Sequence, residues 1–120
     1  MRVAIVDDHS GIRTVLRALL GEHHGIEVVG EATDGDEVLE MVSAVRPDLV
    51  VMDYSMARVN GLTATSELRS SHPSVDVVAF TSTSDATIIH GFLALGVTRH
   101  FDKTDIDALI EYVAARAAAS

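Results

Sequence analysis

Short β-branched runs recur along the chain at intervals that each leave room for one helix. RVAIV begins at Arg2, EVVGEA at Glu27, DLVVM at Asp48, VDVVAF at Val75 and VTRHF at Val97. Their starts lie 21 to 27 residues apart, the spacing of a strand followed by a crossover helix. The central runs are apolar on both faces, which predicts parallel strands covered by helices on each side.

The intervening segments repeat apolar residues at helical spacing. The first sets Ile12, Val15, Leu16, Leu19 and Leu20 on one face behind Ser10 as a cap. The second opens with DGDE, where Asp34 and Glu37 have the spacing of a capping box, and buries Val38, Met41, Val42 and Val45 before Pro47 stops it. A third, from about Gly61 to Ser70, has only Leu62, Ala64 and Leu68 for apolar contact. A fourth, from about Ser84 to Leu95, carries Ile88, Ile89, Phe92 and Leu93 and ends at Gly96, a C-terminal cap. The last starts at Thr104 and aligns Ile106, Leu109, Ile110 and Val113. The pattern is (βα)5 in a single α/β domain over residues 1–120.

Composition narrows the function. At 120 residues and 48% hydrophobic composition, the chain can build one core. Eighteen acidic residues against nine Lys and Arg give a formal charge of -9, so this domain is not expected to contact nucleic acid. Without cysteine, disulfide and thiolate chemistry are excluded. VAIV is too short for a signal-peptide core, and no segment is long enough to span a bilayer, so a cytoplasmic protein without membrane partners is expected.

In a parallel α/β sheet the strand C-termini share one edge, where ligands bind. Asp7 and Asp8 follow the first strand, Asp53 the third, Thr81 and Ser82 the fourth, and Lys103 stands near the end of the fifth. Neighbouring strands are roughly 4.8 Å apart. Two carboxylates about 4 Å apart at an effective dielectric of about 20 repel by about 4 kcal/mol, so a cation is expected between them. Hard oxygen ligands point to Mg²⁺. The six histidines offer no metal-ligand spacing and read as solvated surface or turn residues. A cation, a lysine and a hydroxyl around a carboxylate suit a phosphoryl acceptor, with Asp53 as nucleophile, Lys103 as fixed positive charge and Thr81 as hydrogen-bond donor.

VDDH at Val6 to His9, MDYSM followed by Asn60 and Gly61, FTS at Phe80 to Ser82 and DKT at Asp102 to Thr104 stand in that order at the strand ends. On these motifs the chain resembles, over essentially its whole length, the response-regulator receiver domains of two-component signalling. The resemblance implies a flavodoxin-like, doubly wound sheet of order 2-1-3-4-5. It implies that Asp53 takes a phosphoryl group from a phosphohistidine on a cognate histidine kinase. It further implies Mg²⁺ bound by Asp8 and Asp53 directly, by Asp7 through water and by the backbone carbonyl of Ser55, with Thr81 and Lys103 holding the phosphoryl oxygens. The domain would be a switch and not an enzyme. On phosphorylation Thr81 would move toward the phosphoryl group and reshape the face of the fourth helix, fifth strand and fifth helix, for an output domain, a partner protein or a second copy in a homodimer.

Three positions depart from the commonest family pattern. Ala57 and Thr104 stand where many members have Pro. His100 stands where the family usually has Tyr or Phe as a switch side chain, and two readings stay open: a switch residue or an exposed strand-end histidine. Ser55 and Thr83 hold positions that, by the resemblance, would border the water that hydrolyses the acyl phosphate. VVGEATDGDEVLE and KTD resemble the branch that carries a LuxR-type helix-turn-helix effector for transcription regulation. No such effector stands in these 120 residues, so the chain is read as a separated receiver or one that works alone. Haloacid-dehalogenase-like phosphatases also phosphorylate a strand-end aspartate, but through a D-x-D pair on the first strand, whereas Asp53 precedes Ser55 by two. A flavin site would need a phosphate cradle where Asp7 and Asp8 stand. The remaining alternative is a receiver-like interaction module that signals without phosphorylation.

Overall fold

The computed structural model describes residues 1–119. Its strands are β1 (Arg2–Val6), β2 (Glu27–Ala32), β3 (Leu49–Met52), β4 (Asp76–Thr81) and β5 (Arg99–Asp102). They alternate with α1 (Ser10–Gly21), α2 (Val38–Val45), α3 (Gly61–Ser71), α4 (Ala86–Ala94) and α5 (Ile106–Ala119). All pairings are parallel, in the order β2-β1-β3-β4-β5, as expected of a flavodoxin-like sheet.

The apolar runs explain why both faces are covered. Alternate residues of each strand point to opposite sides. Ala4, Val6, Val50, Met52, Val77 and Ala79 meet α2, α3 and α4 through Val38, Val42, Ala64, Leu68 and Phe92. Val3, Ile5, Leu49, Val51, Val78 and Phe80 meet α1 and α5 through Leu16, Leu20, Leu109, Ile110 and Val113. Among the described residues no helix is long and apolar enough to cross a membrane.

Several helix starts differ from the sequence expectation, and at Asp34 and Thr104 the reason is a hydrogen-bond partner outside the helix. Ser10 is the first residue of α1 and not its cap; His9 holds the cap position in an extended conformation. Asp34 does not cap the second helix either. Its carboxylate accepts the amides of Arg58 and Val59, while Glu37 reaches back to the amide of Thr33 at 3.0 Å, so the reciprocal bond belongs to Thr33. The turn at Gly35–Glu37 is 3₁₀ before α2 begins. Asp85, one residue beyond Ser84, caps α4 by accepting the Thr87 amide. Thr104 is held by the Asp102 carboxylate in a turn, which delays α5 until Ile106. Val15, expected on the buried stripe, is 45% exposed; the stripe is carried by Leu16 and Leu20. Gly96 ends α4 as expected, at φ +80 with its amide on Leu93.

Candidate functional site

Sheet register brings the first two acids together. β1 and β3 pair with Val6 opposite Met52, so the next residues, Asp7 and Asp53, leave the sheet side by side. The Asp53 amide donates to the Val6 carbonyl at 3.0 Å and the Asp7 amide to Ala32 at 3.1 Å, which fixes both backbones. Their carboxylates are almost fully buried. Beyond Asp53 the chain doubles back tightly: the Gly61 amide donates to Tyr54, and a Cβ on Gly61 would lie 1.9 Å from the Asp53 carbonyl oxygen.

Lys103 enters from the far side of the sheet. Its amide donates to the Thr81 carbonyl at 3.3 Å, and its side chain carries Nζ to 2.8 Å from Asp7 Oδ2 and 3.1 Å from Asp53 Oδ2. Asp53 Oδ1 accepts the Tyr54 amide at 2.8 Å. Oδ2, buried and near Nζ, receives no hydrogen bond of normal geometry.

One ammonium facing two buried carboxylates leaves the charge unbalanced. Burial pushes the Asp53 carboxyl above its ordinary value and the charge of Asp7 adds to this; Lys103 opposes both without overcoming them. Burial alone would lower Lys103, but the two aspartates outweigh it and hold the ammonium above its usual range. The lysine is firmly charged, whereas Asp53 wants more positive charge than Lys103 supplies.

Asp8 and His9 complete the mouth of this pocket. Carboxylate oxygens of Asp7, Asp8 and Asp53 and a ring nitrogen of His9 all lie within 4.8 Å of one another. Three carboxylates around one shared ammonium, with Asp53 Oδ2 lacking a hydrogen bond of normal geometry, fit a hard divalent cation, for which oxygen is the preferred donor. His9 was not foreseen as part of this cluster, because histidine spacing along the sequence does not register a residue that joins carboxylates from its own turn and from another strand. Arg13 was also missed. Its Nη1 donates to the Asp7 carbonyl at 2.6 Å while Nε holds Glu31 at 3.1 Å, bracing the backbone behind the pocket.

The remaining candidates lie around this centre. Thr81 is buried at the end of β4, with its hydroxyl accepting the Thr83 amide at 3.4 Å. Ser55 is exposed, two residues past Asp53 in the loop that leads to α3. That loop is clamped by Asp34 through the Arg58 and Val59 amides and by the Arg58–Asp36 ion pair. His100 is half-buried on β5 opposite Ala79, and its Nε2 is buried without a hydrogen-bond partner.

The family model of the response regulator receiver domain matches residues 3–114. A protein-glutamate methylesterase/protein-glutamine glutaminase of Geobacter metallireducens is 45% identical over 86 residues, 72% of this chain and 24% of that protein. The response regulator GacA of Pseudomonas viridiflava is 43% identical over 81 residues, 68% of this chain and 38% of that protein. The transcriptional regulatory protein DegU of Brevibacillus brevis is 33% identical over 114 residues, 94% of this chain and 48% of that protein. This chain therefore spans about a quarter to a half of the curated relatives it matches. Among solved structures, the response regulator domain of Thermotoga maritima CheB has a TM-score of 0.82 at 29% identity, covering 97% of this chain and 89% of that one. The signal receiver domain of NarL from Mycobacterium tuberculosis has a TM-score of 0.82 at 28% identity, covering 95% of each.

Proposed function

Because the chain belongs to the response regulator receiver domain family, we propose that residues 1–120 are one receiver domain whose Asp53 accepts a phosphoryl group from a cognate histidine kinase. The observation that carries this reading is the buried Asp53 Oδ2, which is 3.1 Å from Lys103 Nζ and has no hydrogen bond of its own.

An oxygen of Asp53 attacks the phosphorus of a phosphohistidine, a P–O bond forms, and the P–N bond breaks with its electron pair returning to the imidazole. Mg²⁺, held by Asp7, Asp8, Asp53 and the Ser55 carbonyl, would supply the positive charge that Asp53 lacks and offset the charge of the phosphoryl oxygens. Lys103 exchanges its contact with Asp53 for a phosphoryl oxygen and keeps Asp7, so its ammonium is never left unpaired. Thr81 trades the long bond from the Thr83 amide for donation of its hydroxyl to a second phosphoryl oxygen.

That movement reaches α4, β5 and α5, since Thr81 ends β4 and pairs with Asp102 of β5. The output is transmitted from that face, in the cytoplasm, to an effector for transcription regulation, and phosphorylation favours a homodimer. The names of the relatives GacA and DegU, a response regulator and a transcriptional regulatory protein, support this direction.

The test is treatment with acetyl phosphate and Mg²⁺ followed by intact mass. Wild type should gain one phosphoryl adduct that is lost with EDTA present and absent in Asp53→Asn. An undiminished adduct on Asp53→Asn would sink the assignment.

A further inference from the structure

His9 faces the acidic pocket from the cap of α1. Its amide donates to Asp7 Oδ1 at 2.9 Å, and its Nδ1 lies 2.9 Å from Asp8 Oδ1 and 3.2 Å from Asp7 Oδ1. The amide contact anchors the residue, while the ring is 67% exposed. Adjacent donors around a small divalent ion at about 2.1 Å are spaced on the order of 3 Å apart, which the ring nitrogen already matches against both aspartates.

We propose that Nδ1 of His9 is a ligand of this centre, turning an all-oxygen site into a mixed nitrogen and oxygen one that favours an imidazole-accepting divalent ion over Mg²⁺. The inference rests on the reading of Asp7, Asp8 and Asp53 as a metal centre. Two observations carry it. The buried Asp53 Oδ2 has no hydrogen bond of normal geometry and shares the Lys103 ammonium, 3.1 Å away, with Asp7. Nδ1 of His9 lies with the three carboxylate oxygens inside a 4.8 Å group.

The chemistry is selective. Mg²⁺ prefers oxygen and keeps its waters, so it would leave the ring where it lies, beside Asp7 and Asp8. Co²⁺, Ni²⁺ and Zn²⁺ accept imidazole, and Nδ1 would offer its lone pair to such an ion. Divalent ions of that series bind most sites more tightly than Mg²⁺ does, so a bare affinity would not isolate His9. The change in selectivity on removing the ring does.

The probes are Co²⁺ and Mg²⁺, titrated calorimetrically into wild type, His9→Gln and Asp53→Asn, with proton NMR of the Co²⁺ forms. In His9→Gln the ratio of Co²⁺ to Mg²⁺ affinity should fall at least about tenfold, the low end of what losing a group that sets a metal's surroundings costs, with Mg²⁺ affinity little changed. Wild type should show a hyperfine-shifted, exchangeable imidazole N–H that His9→Gln lacks. An unchanged ratio and no such resonance in wild type would overturn the role of His9 and leave the oxygen centre standing. Undiminished binding of both ions by Asp53→Asn would overturn the metal centre itself.

Discussion

Lys103 Nζ lies 2.8 Å from Asp7 and 3.1 Å from Asp53, so one ammonium is shared between two buried carboxylates. Taking it away leaves two almost fully buried like charges facing each other. Lys103→Met should therefore cost about 3 kcal/mol of stability without divalent ions, the low end for breaking a buried pair. Mg²⁺ should restore part of it, because an ion that binds the folded state alone stabilises by mass action. Urea denaturation with and without Mg²⁺ measures both, and equal losses in the two conditions would contradict the shared-charge account.

Asp53→Asn should have the opposite sign. Burial, then the charge of Asp7, raises the Asp53 carboxyl in the folded chain, so folding favours its protonated form. That contribution is complete below the unfolded value near 3.8 and is lost as pH rises through the higher folded value. The neutral amide avoids the loss. Without divalent ions, Asp53→Asn should melt above wild type at pH 7 by on the order of 3 °C, with the gap closing on acidification. Thermal scans across the acid range check the direction, and a variant that melts lower at pH 7 would refute it.

Gly61 sets where Asp53 stands. Its missing Cβ makes room for the Asp53 carbonyl oxygen, at a distance of 1.9 Å that no side chain can occupy. Gly61→Ala must move either the Asp53 backbone or the start of α3. A loss of about 3 kcal/mol is expected, the upper part of the usual range for overpacking. Phosphorylation by acetyl phosphate should slow even at temperatures where the variant remains folded, which intact mass against time would reveal.

Asp34 acts on the same loop from the other end. Burial would raise its carboxyl, but the amides of Val59 and Arg58 outweigh that and hold it below the usual value. The stability it contributes is present above the unfolded value near 3.8 and is lost as pH falls through the lower folded value. Asp34→Asn keeps one acceptor for one of the two amides and turns an N–H toward the other, for an expected cost of about 2 kcal/mol. Denaturation midpoints should differ most near neutrality and converge in strong acid; a constant difference would mean that the charge is not what holds the loop.

The architecture was legible because the sheet is buried on both faces and the helices on one, and those two conditions write short continuous apolar runs and a period of about 3.6 directly into the chain. The meeting of Asp7, Asp53 and Lys103 followed from topology alone, since every parallel strand releases its chain at one edge. What escaped were choices between equivalent partners. Ser10, Asp34 and Thr104 could each have begun a helix, and only the folded loops show that Asp34 is claimed by the Val59 amide and Thr104 by Asp102. His9 and Arg13 escaped for a related reason: their contacts join the acid turn to its surroundings in space, at separations that carry no period.

His100 on β5 keeps its Nε2 buried without a hydrogen-bond partner. An unsatisfied buried nitrogen costs about 1–3 kcal/mol, so the resting domain carries a strain that a ring without nitrogen would not. His100→Phe should be more stable than wild type by about 1 kcal/mol in urea denaturation. The same orphan gives the ring a reason to relocate once Thr81, two strand positions further along the β4 edge than Ala79, is drawn toward a phosphoryl group. The carbon-bound ring protons of His100 should then shift in NMR spectra on acetyl phosphate and Mg²⁺ treatment of wild type and stay fixed in Asp53→Asn. If the ring signals stay fixed in phosphorylated wild type as well, His100 is a strand-end residue with no part in switching.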